Sequence, residues 1–324
     1  MVPEIVNYVR MRASGLASLG LPTEKELRSA SRKKAAAGLR LEKLSAPWKR
    51  ELQLEKLRAV GRESGEEFSF AVLGDAEPGR FWIFRKLFNK KGVFETQLRR
   101  VQSRPVDFSM QMGDMVSRGI KRNYLQFFRR LDHVGVRVPY LTTLGNHDRR
   151  FPHGRCDADL YRSFFGRTNY HFDHGGVRFV SLDSSLIRLT RWQLSWLDRI
   201  LDFPGRKIVF THIPPVGLRE WTKIAWRREV AGFKVGADEM MEIFSARAVD
   251  RVYLGHVHAF GVQEYKGVRY VLSGGGGSPL YPVGQSNVFH HTLAVCIGPD
   301  GIRETLHPLH GRPIPVSEAA NLIV

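Results

Sequence analysis

Five short apolar runs punctuate the chain, and each stops at a small residue followed by polar side chains. Phe68–Leu73 runs into Gly74-Asp75-Ala76-Glu77, and Phe108–Met112 into Gly113-Asp114. Pro139–Leu144 leads to Gly145-Asn146-His147-Asp148, Lys207–Phe210 to Thr211-His212, and Arg251–Leu254 to Gly255-His256-Val257-His258. Runs of this kind suit buried strands that end at a sheet rim. Residues 80–100, 123–133, 159–165, 191–201 and 238–248 carry apolar positions at helical spacing. The last third is strand-rich, with strands expected at 260–265, 268–273, 292–297 and 302–308. Strands alternating with helices, then hairpin-like pairs, predict an α/β protein in which two mixed β-sheets pack as a sandwich flanked by helices. In open α/β sheets, sites form beyond the carboxyl ends of the strands. The ladder of polar residues occupies that kind of position.

Residues 1–65 follow a different pattern and read as a basic helical N-terminal extension, with 66–324 as the main domain. Up to residue 60 the extension holds 13 Lys or Arg against 6 Glu. Residues 23–60 read as helix: Thr23 and Glu26 have capping-box spacing, and Pro47 should split the segment in two. Either this extension packs on the main domain, or its basic face meets a partner or a membrane surface.

Composition narrows the function classes. With 43% hydrophobic and 25% charged residues in 324, the chain has the balance of an ordinary folded protein. Its two cysteines, Cys156 and Cys296, supply neither a disulfide framework nor a cysteine metal cluster. No stretch reaches the roughly 18 apolar residues of a membrane span. Met1–Gly20 lacks the layout of a secretory leader, so a cytoplasmic location is expected, peripheral at a membrane surface if the extension docks there. The net charge of +18 and pI of about 10.2 favour polyanionic partners. An anionic phosphate ester, an anionic membrane surface and, less favoured, nucleic acid all fit that field.

Carboxylate, amide and imidazole groups without cysteine suit Zn, Mn or Fe better than a structural zinc knot. Taken together and in this order, Asp75-Ala76-Glu77, Gly113-Asp114, Gly145-Asn146-His147-Asp148, His212 and Gly255-His256-Val257-His258 resemble the motif set of the calcineurin-like metallophosphoesterase superfamily, related to purple acid phosphatases. The resemblance covers about residues 68–310. It implies a four-layer α/β/β/α fold with 66–324 as the catalytic domain, and a binuclear phosphoric ester hydrolase. Two divalent or trivalent metal ions would be bridged by Asp114, one held also by Asp75, Glu77 and His258, the other by Asn146, His212 and His256. A water or hydroxide between the metals would attack phosphorus, with His147 as the general acid for the leaving oxygen. Asp148 would orient His147 or serve structurally.

Two departures from the family pattern bear on the chemistry. Glu77 stands where the family usually has histidine. As a ligand it would favour Mn or Fe, with Zn also admitted; otherwise it is a carboxylate beside the site. Gly113-Asp114-Met115-Val116-Ser117-Arg118-Gly119 resembles the G-D-x-V-D-R-G of protein Ser/Thr phosphatases, but Ser117 replaces the Asp that supports the catalytic histidine. Arg118 matches the phosphate-gripping arginine of that subgroup, or else makes a surface ion pair. His171 and His174 are expected in structural hairpin roles, and Gly274–Gly277 as a rim loop near the metals. Arg219–Arg228, with its two Trp, reads as a lid or as a packed helix, and Phe81–Phe88 as a core helix or an interfacial one. A nucleic-acid-processing phosphodiesterase and a degenerate binding module are the competing functions.

Overall fold

The apolar runs form strands, and the ladder lies along their carboxyl ends. The computed structural model describes residue 29 and residues 38–76, 92–151, 157–218, 232–280 and 286–319. Its strands in chain order are β1 (Phe68–Leu73), β2 (Phe108–Gln111), β3 (Tyr140–Thr142), β4 (Tyr170–His174), β5 (Val177–Leu182) and β6 (Arg206–Thr211). They continue with β7 (Arg251–Leu254), β8 (Phe260–Tyr265), β9 (Val268–Ser273), β10 (His291–Gly298), β11 (Gly301–Pro308) and β12 (Ile314–Pro315). Two six-stranded sheets result, ordered β12-β11-β10-β1-β2-β3 and β4-β5-β6-β7-β9-β8. Within the first sheet β1, β2 and β3 are parallel and β10 runs antiparallel to β1. In the second, β5, β6, β7 and β9 are parallel, closed by antiparallel β4 and β8.

Aromatic side chains fill the space between the sheets. Phe70 and Phe108 of the first sheet meet Phe179 of the second, with ring centroids 5.5 and 5.2 Å apart, and Phe70 also meets Phe210 at 6.0 Å. The edge-on geometry of these pairs is the one favoured by ring quadrupoles. Helices cover both outer faces. α1 (Arg50–Arg58), α2 (Val93–Gln102), α3 (Lys121–Val134) and α4 (Asp159–Phe165) precede α5 (Arg191–Ile200), α6 (Ala237–Ala246) and the short α7 (Val316–Ala319). α5 and α6 bury Leu194, Leu197, Met240 and Phe244 in one core with Val180, Val209 and Val252. α2 and α3 bury Leu98, Val101, Phe127 and Leu131, with Phe94 against Phe127 at 5.9 Å. The expected sandwich of two mixed sheets with flanking helices is present.

Local sequence signals explain several boundaries. Thr190 caps α5 in a capping box with Gln193, at 3.2 Å from the Gln193 amide and with 3.0 Å for the reciprocal bond. The helix expected over 80–100 is described only as α2, since residues 77–91 lie outside the described set. Pro47 falls in a 3-10 turn, Ala46–Trp48, that separates helical residues 38–45 from α1.

The chain divides compactly into Met1–Lys43 and Leu44–Val324, so the division falls well before residue 66. Gln53 of α1 accepts a hydrogen bond from the Tyr140 amide at 2.8 Å, and Trp48 meets the Tyr140 ring at 5.9 Å. Arg50 lies over the Tyr170 ring at 4.2 Å and donates to the Arg167 carbonyl. The stretch from Leu44 onward is thus part of the sandwich unit. Most of Met1–Lys43 lies outside the described residues, including the capping-box pattern at Thr23 and Glu26.

At the opposite rim from the ladder, Asp107 is buried between a guanidinium and an imidazole. Arg62 grips it bidentately at 2.8 and 3.0 Å, and His174 Nε2 lies 2.8 Å away. His174 therefore has the structural role expected for this hairpin. Burial alone would raise the Asp107 carboxyl, but the bonds from Arg62 and His174 outweigh it and hold it below the usual range. A lowered folded-state value means the contribution is complete above the unfolded value of about 3.9 and is lost as pH falls through the folded one. Asp107→Asn is expected to lower stability at pH 7 by about 1–3 kcal/mol. Urea unfolding of both proteins should show that gap closing below roughly pH 4; a gap independent of pH would refute the account.

Candidate metal centre

Each member of the ladder sits just beyond a parallel strand: Asp75 after β1, Asp114 after β2, Asn146 and His147 after β3, His212 after β6, and His256 and His258 after β7. The structure brings six of them together. His212 Nε2 lies 3.3 Å from Asp114 Oδ2 and 3.1 Å from Asn146 Oδ1, and His256 Nδ1 lies 3.0 Å from the same amide oxygen. Ligand atoms of Asp114, His212 and His256 fall within 4.8 Å of one another. Beside them, His258 Nε2 is 3.3 Å from Asp75 Oδ2, and Asp75 Oδ1 is 3.7 Å from His212 Nδ1. Glu77 lies outside the described residues.

Two of the imidazoles are oriented through their second nitrogen. His212 Nδ1 pairs with the Met112 carbonyl at 2.7 Å, and His258 Nδ1 with the Pro279 carbonyl at 2.7 Å. Such bonds fix the ring and its tautomer and aim Nε2 at the centre. The Pro279 carbonyl belongs to the loop after β9, which also donates the Ser278 amide to the Asp75 carbonyl at 2.9 Å. Gly274–Gly277 therefore leads into a segment that braces the centre. A Cβ on Gly276 would stand 2.2 Å from the Gly74 carbonyl oxygen, so two backbones meet there directly.

The donor set fits metal ions. Asp75 is fully buried, and its Oδ2 has no hydrogen-bond partner. Its one close polar contact among the described residues is the His258 imidazole at 3.3 Å, and a buried carboxylate so sparsely satisfied is well suited to meet a cation. Burial works against charge on His212, yet Asp114 and Asp75 raise it to about 10. Burial would likewise raise Asp114, but His212, His147 and His256 hold it well below the carboxylate range. A bound metal would therefore compete with protons for these ligand atoms. Asp114 and His256 adopt left-handed backbone conformations, with φ of 45° and 70°. Strain of this kind in non-glycine residues is stored at functional sites.

His147 and Asp148 have different surroundings. The His147 amide donates to Asp114 Oδ1 at 2.8 Å, its Nδ1 lies 3.2 Å from the Ser117 carbonyl, and its Nε2 is 3.9 Å from Asp114 Oδ2. Ser117 therefore meets His147 through its main chain. Asp148 is buried and accepts from the Met115 and Val116 amides at 2.8 and 3.2 Å and from Gly145 at 2.9 Å. These bonds tie the Asp114 loop to the Asn146 loop. Arg118 is exposed, its Nε donating to the Arg150 carbonyl at 2.9 Å and its guanidinium lying 5.3 Å from the Phe151 ring centroid.

Residues 68–260 match the model of the calcineurin-like phosphoesterase family. The chain belongs to that family. A nucleotide pyrophosphatase/phosphodiesterase of Hordeum vulgare is 24% identical over 54% of this chain and 58% of its own length, so the chain spans little more than half of that relative. Among solved structures, purple acid phosphatase PPD1 from yellow lupin (Lupinus luteus) seeds is similar with a TM-score of 0.61 and 16% identity, covering 78% of this chain and 54% of that one. PhoD has a TM-score of 0.54 at 10% identity, covering 78% and 69%. GAP50, the anchor in the inner membrane complex of Plasmodium, has 0.52 at 15%, covering 77% and 88%. These likenesses carry the fold of a metallophosphoesterase sandwich.

Two supports of this phosphoesterase site were not anticipated from sequence. Gln111, fully buried at the end of β2, donates to the Gly74 carbonyl and to that of Gly113 at 3.2 Å, and Tyr140 donates to its Oε1 at 2.7 Å. Arg149, 3% exposed, donates to Ser185 Oγ at 2.6 Å and to Asp183 at 2.9 Å. A polar residue ending an otherwise apolar run was the signal available for Gln111. The Asp148-Arg149-Arg150 sequence gives no sign that its middle residue turns inward.

Proposed function

We propose that this phosphoesterase is a two-metal hydrolase of phosphate esters in which His147 protonates the leaving oxygen. The observation that carries the reading is the convergence of Asp75, Asp114, Asn146, His212, His256 and His258, with the buried Asp75 Oδ2 facing His258 and making no hydrogen bond of its own. Asp114, Asn146, His212 and His256 would hold one ion; Asp75, His258 and Glu77, sharing Asp114, would hold the other. When bound, such ions, with Mn or Fe preferred over Zn, neutralise phosphate oxygens and lower the pKa of a water nucleophile.

The side chains supply the rest. Neutral Asn146 adds an oxygen donor without adding negative charge opposite an anionic substrate. The Ser117 carbonyl accepts from His147 Nδ1, leaving Nε2 as the atom from which a proton passes to the departing alkoxide. Asp148 keeps the two loops in register through its three amide bonds, a positioning role. Arg118 as a phosphate contact would have to use its Nη atoms, since Nε is engaged.

The anionic substrate suits the +18 chain, and the basic N-terminal segment is proposed as a contact for an anionic membrane surface. No helix among the described residues is long and apolar enough to cross a membrane. Elemental analysis of the purified protein should find about two metal ions per chain. Phosphomonoester and phosphodiester panels with Mn, Fe, Zn and Mg should then show metal-dependent hydrolysis. A chain that binds no metal and hydrolyses nothing would be a binding module instead.

A further inference from the structure

A cavity opens on the same rim, beyond the strand next to the one that carries His212. β5 pairs with β6 so that Leu182 lies opposite Thr211, which sets Asp183 beside His212 at the strand ends. The cavity beyond Asp183 has a volume of about 360 Å³. It is lined by Arg149 and Asp183, already locked in their ion pair, and by Asn169 and Gln193. Arg149 follows Asn146 by three residues in the chain, so two of the lining residues, Arg149 and Asp183, come from segments that adjoin metal-ligand positions.

Trp192 forms the outer wall and is 61% exposed, though it is among the largest apolar side chains. One face is backed by Trp196, with ring planes 12° apart and centroids 6.2 Å apart, and Trp196 packs on the core. The platform is therefore rigid, and the capping box at Thr190 fixes the helix turn that carries it. The guanidinium of Arg188, an exposed residue that also lines the cavity, has no hydrogen-bond or ion-pair partner among the described residues. A rigid exposed indole beside an uncommitted guanidinium suits a planar heterocycle joined to an anionic group.

We infer that this cavity is a subsite for a nucleoside carried by the phosphate ester, with Trp192 as the surface on which the base stacks. The assignment rests on the phosphoesterase reading above for the position of the phosphate. Its test is calorimetric, with the metal-loaded full chain and the methylene-phosphonate analogues of AMP and ribose 5-phosphate, which lack an ester bond to hydrolyse. The AMP analogue should bind roughly tenfold more tightly. Trp192→Ala should abolish that preference without changing affinity for the ribose analogue, and Trp192→Phe should keep most of it. Equal affinities in the wild type, or a preference that survives Trp192→Ala, would overturn the subsite while leaving the phosphoesterase reading intact. If neither analogue binds, the phosphate-binding centre fails, and the subsite with it.

Discussion

Replacing His147 with glutamine should lower kcat by roughly 10²–10⁴-fold, the range expected when a positioned general acid is removed. Metal content should be unchanged, because the bond from residue 147 to Asp114 comes from the main-chain amide, which any side chain preserves. The loss should also depend on the ester. A leaving oxygen that is a weak base departs without a proton, so aryl esters should suffer much less than alkyl ones. Equal losses on both kinds of ester would mean that His147 positions the site and does not donate the proton. Because the Ser117 carbonyl is a main-chain partner, Ser117→Ala should leave the His147 orientation intact.

Arg149→Met should destabilise the fold by about 3–5 kcal/mol, the usual cost of stranding one member of a buried ion pair. Arg149 and Asp183 are each less than a tenth exposed, and among the described residues the Asp183 carboxylate would keep only Ser185 as a partner, through its amide at 3.0 Å and its hydroxyl. Removing both charges in Arg149→Met/Asp183→Leu should recover much of the loss, since neither member of the Arg149–Asp183 pair is then left without the other. Guanidinium unfolding of the two single variants and the double variant would measure this. A double variant as unstable as the sum of the singles would show that the pair has no coupling.

The positions of the site residues were legible because each follows an apolar run that can only be a buried strand, and parallel strands align their carboxyl ends. β1 and β7 begin and end where the apolar pattern does. Less was legible where a polar residue acts inward. Gln111 looks like the last residue of a strand, and only the chain fold shows that it ties Gly74 to Gly113. Asp148 was read as orienting His147 or as structural; its three bonds to main-chain amides favour the second. The domain boundary was obscured for a related reason. Charge dominates the composition of residues 1–65, whereas docking of its last helix depends on a few side chains, Trp48, Gln53 and Leu57 among them. Glu77 and the Trp-bearing stretch Arg219–Arg228, together with Phe81–Phe88, lie outside the described residues.

The contact between Gln53 and Tyr140 has a wider meaning. β3 is the outermost strand of its sheet, and outermost strands offer unpaired amides to any passing chain. The side chain of Gln53 occupies one of those amides, and Trp48 shields the ring beside it. The helix at the end of the basic segment therefore covers part of an exposed sheet edge. A chain trimmed at residue 66 would keep every strand that carries the ladder and would leave the Tyr140 amide on the sheet edge without its Gln53 acceptor.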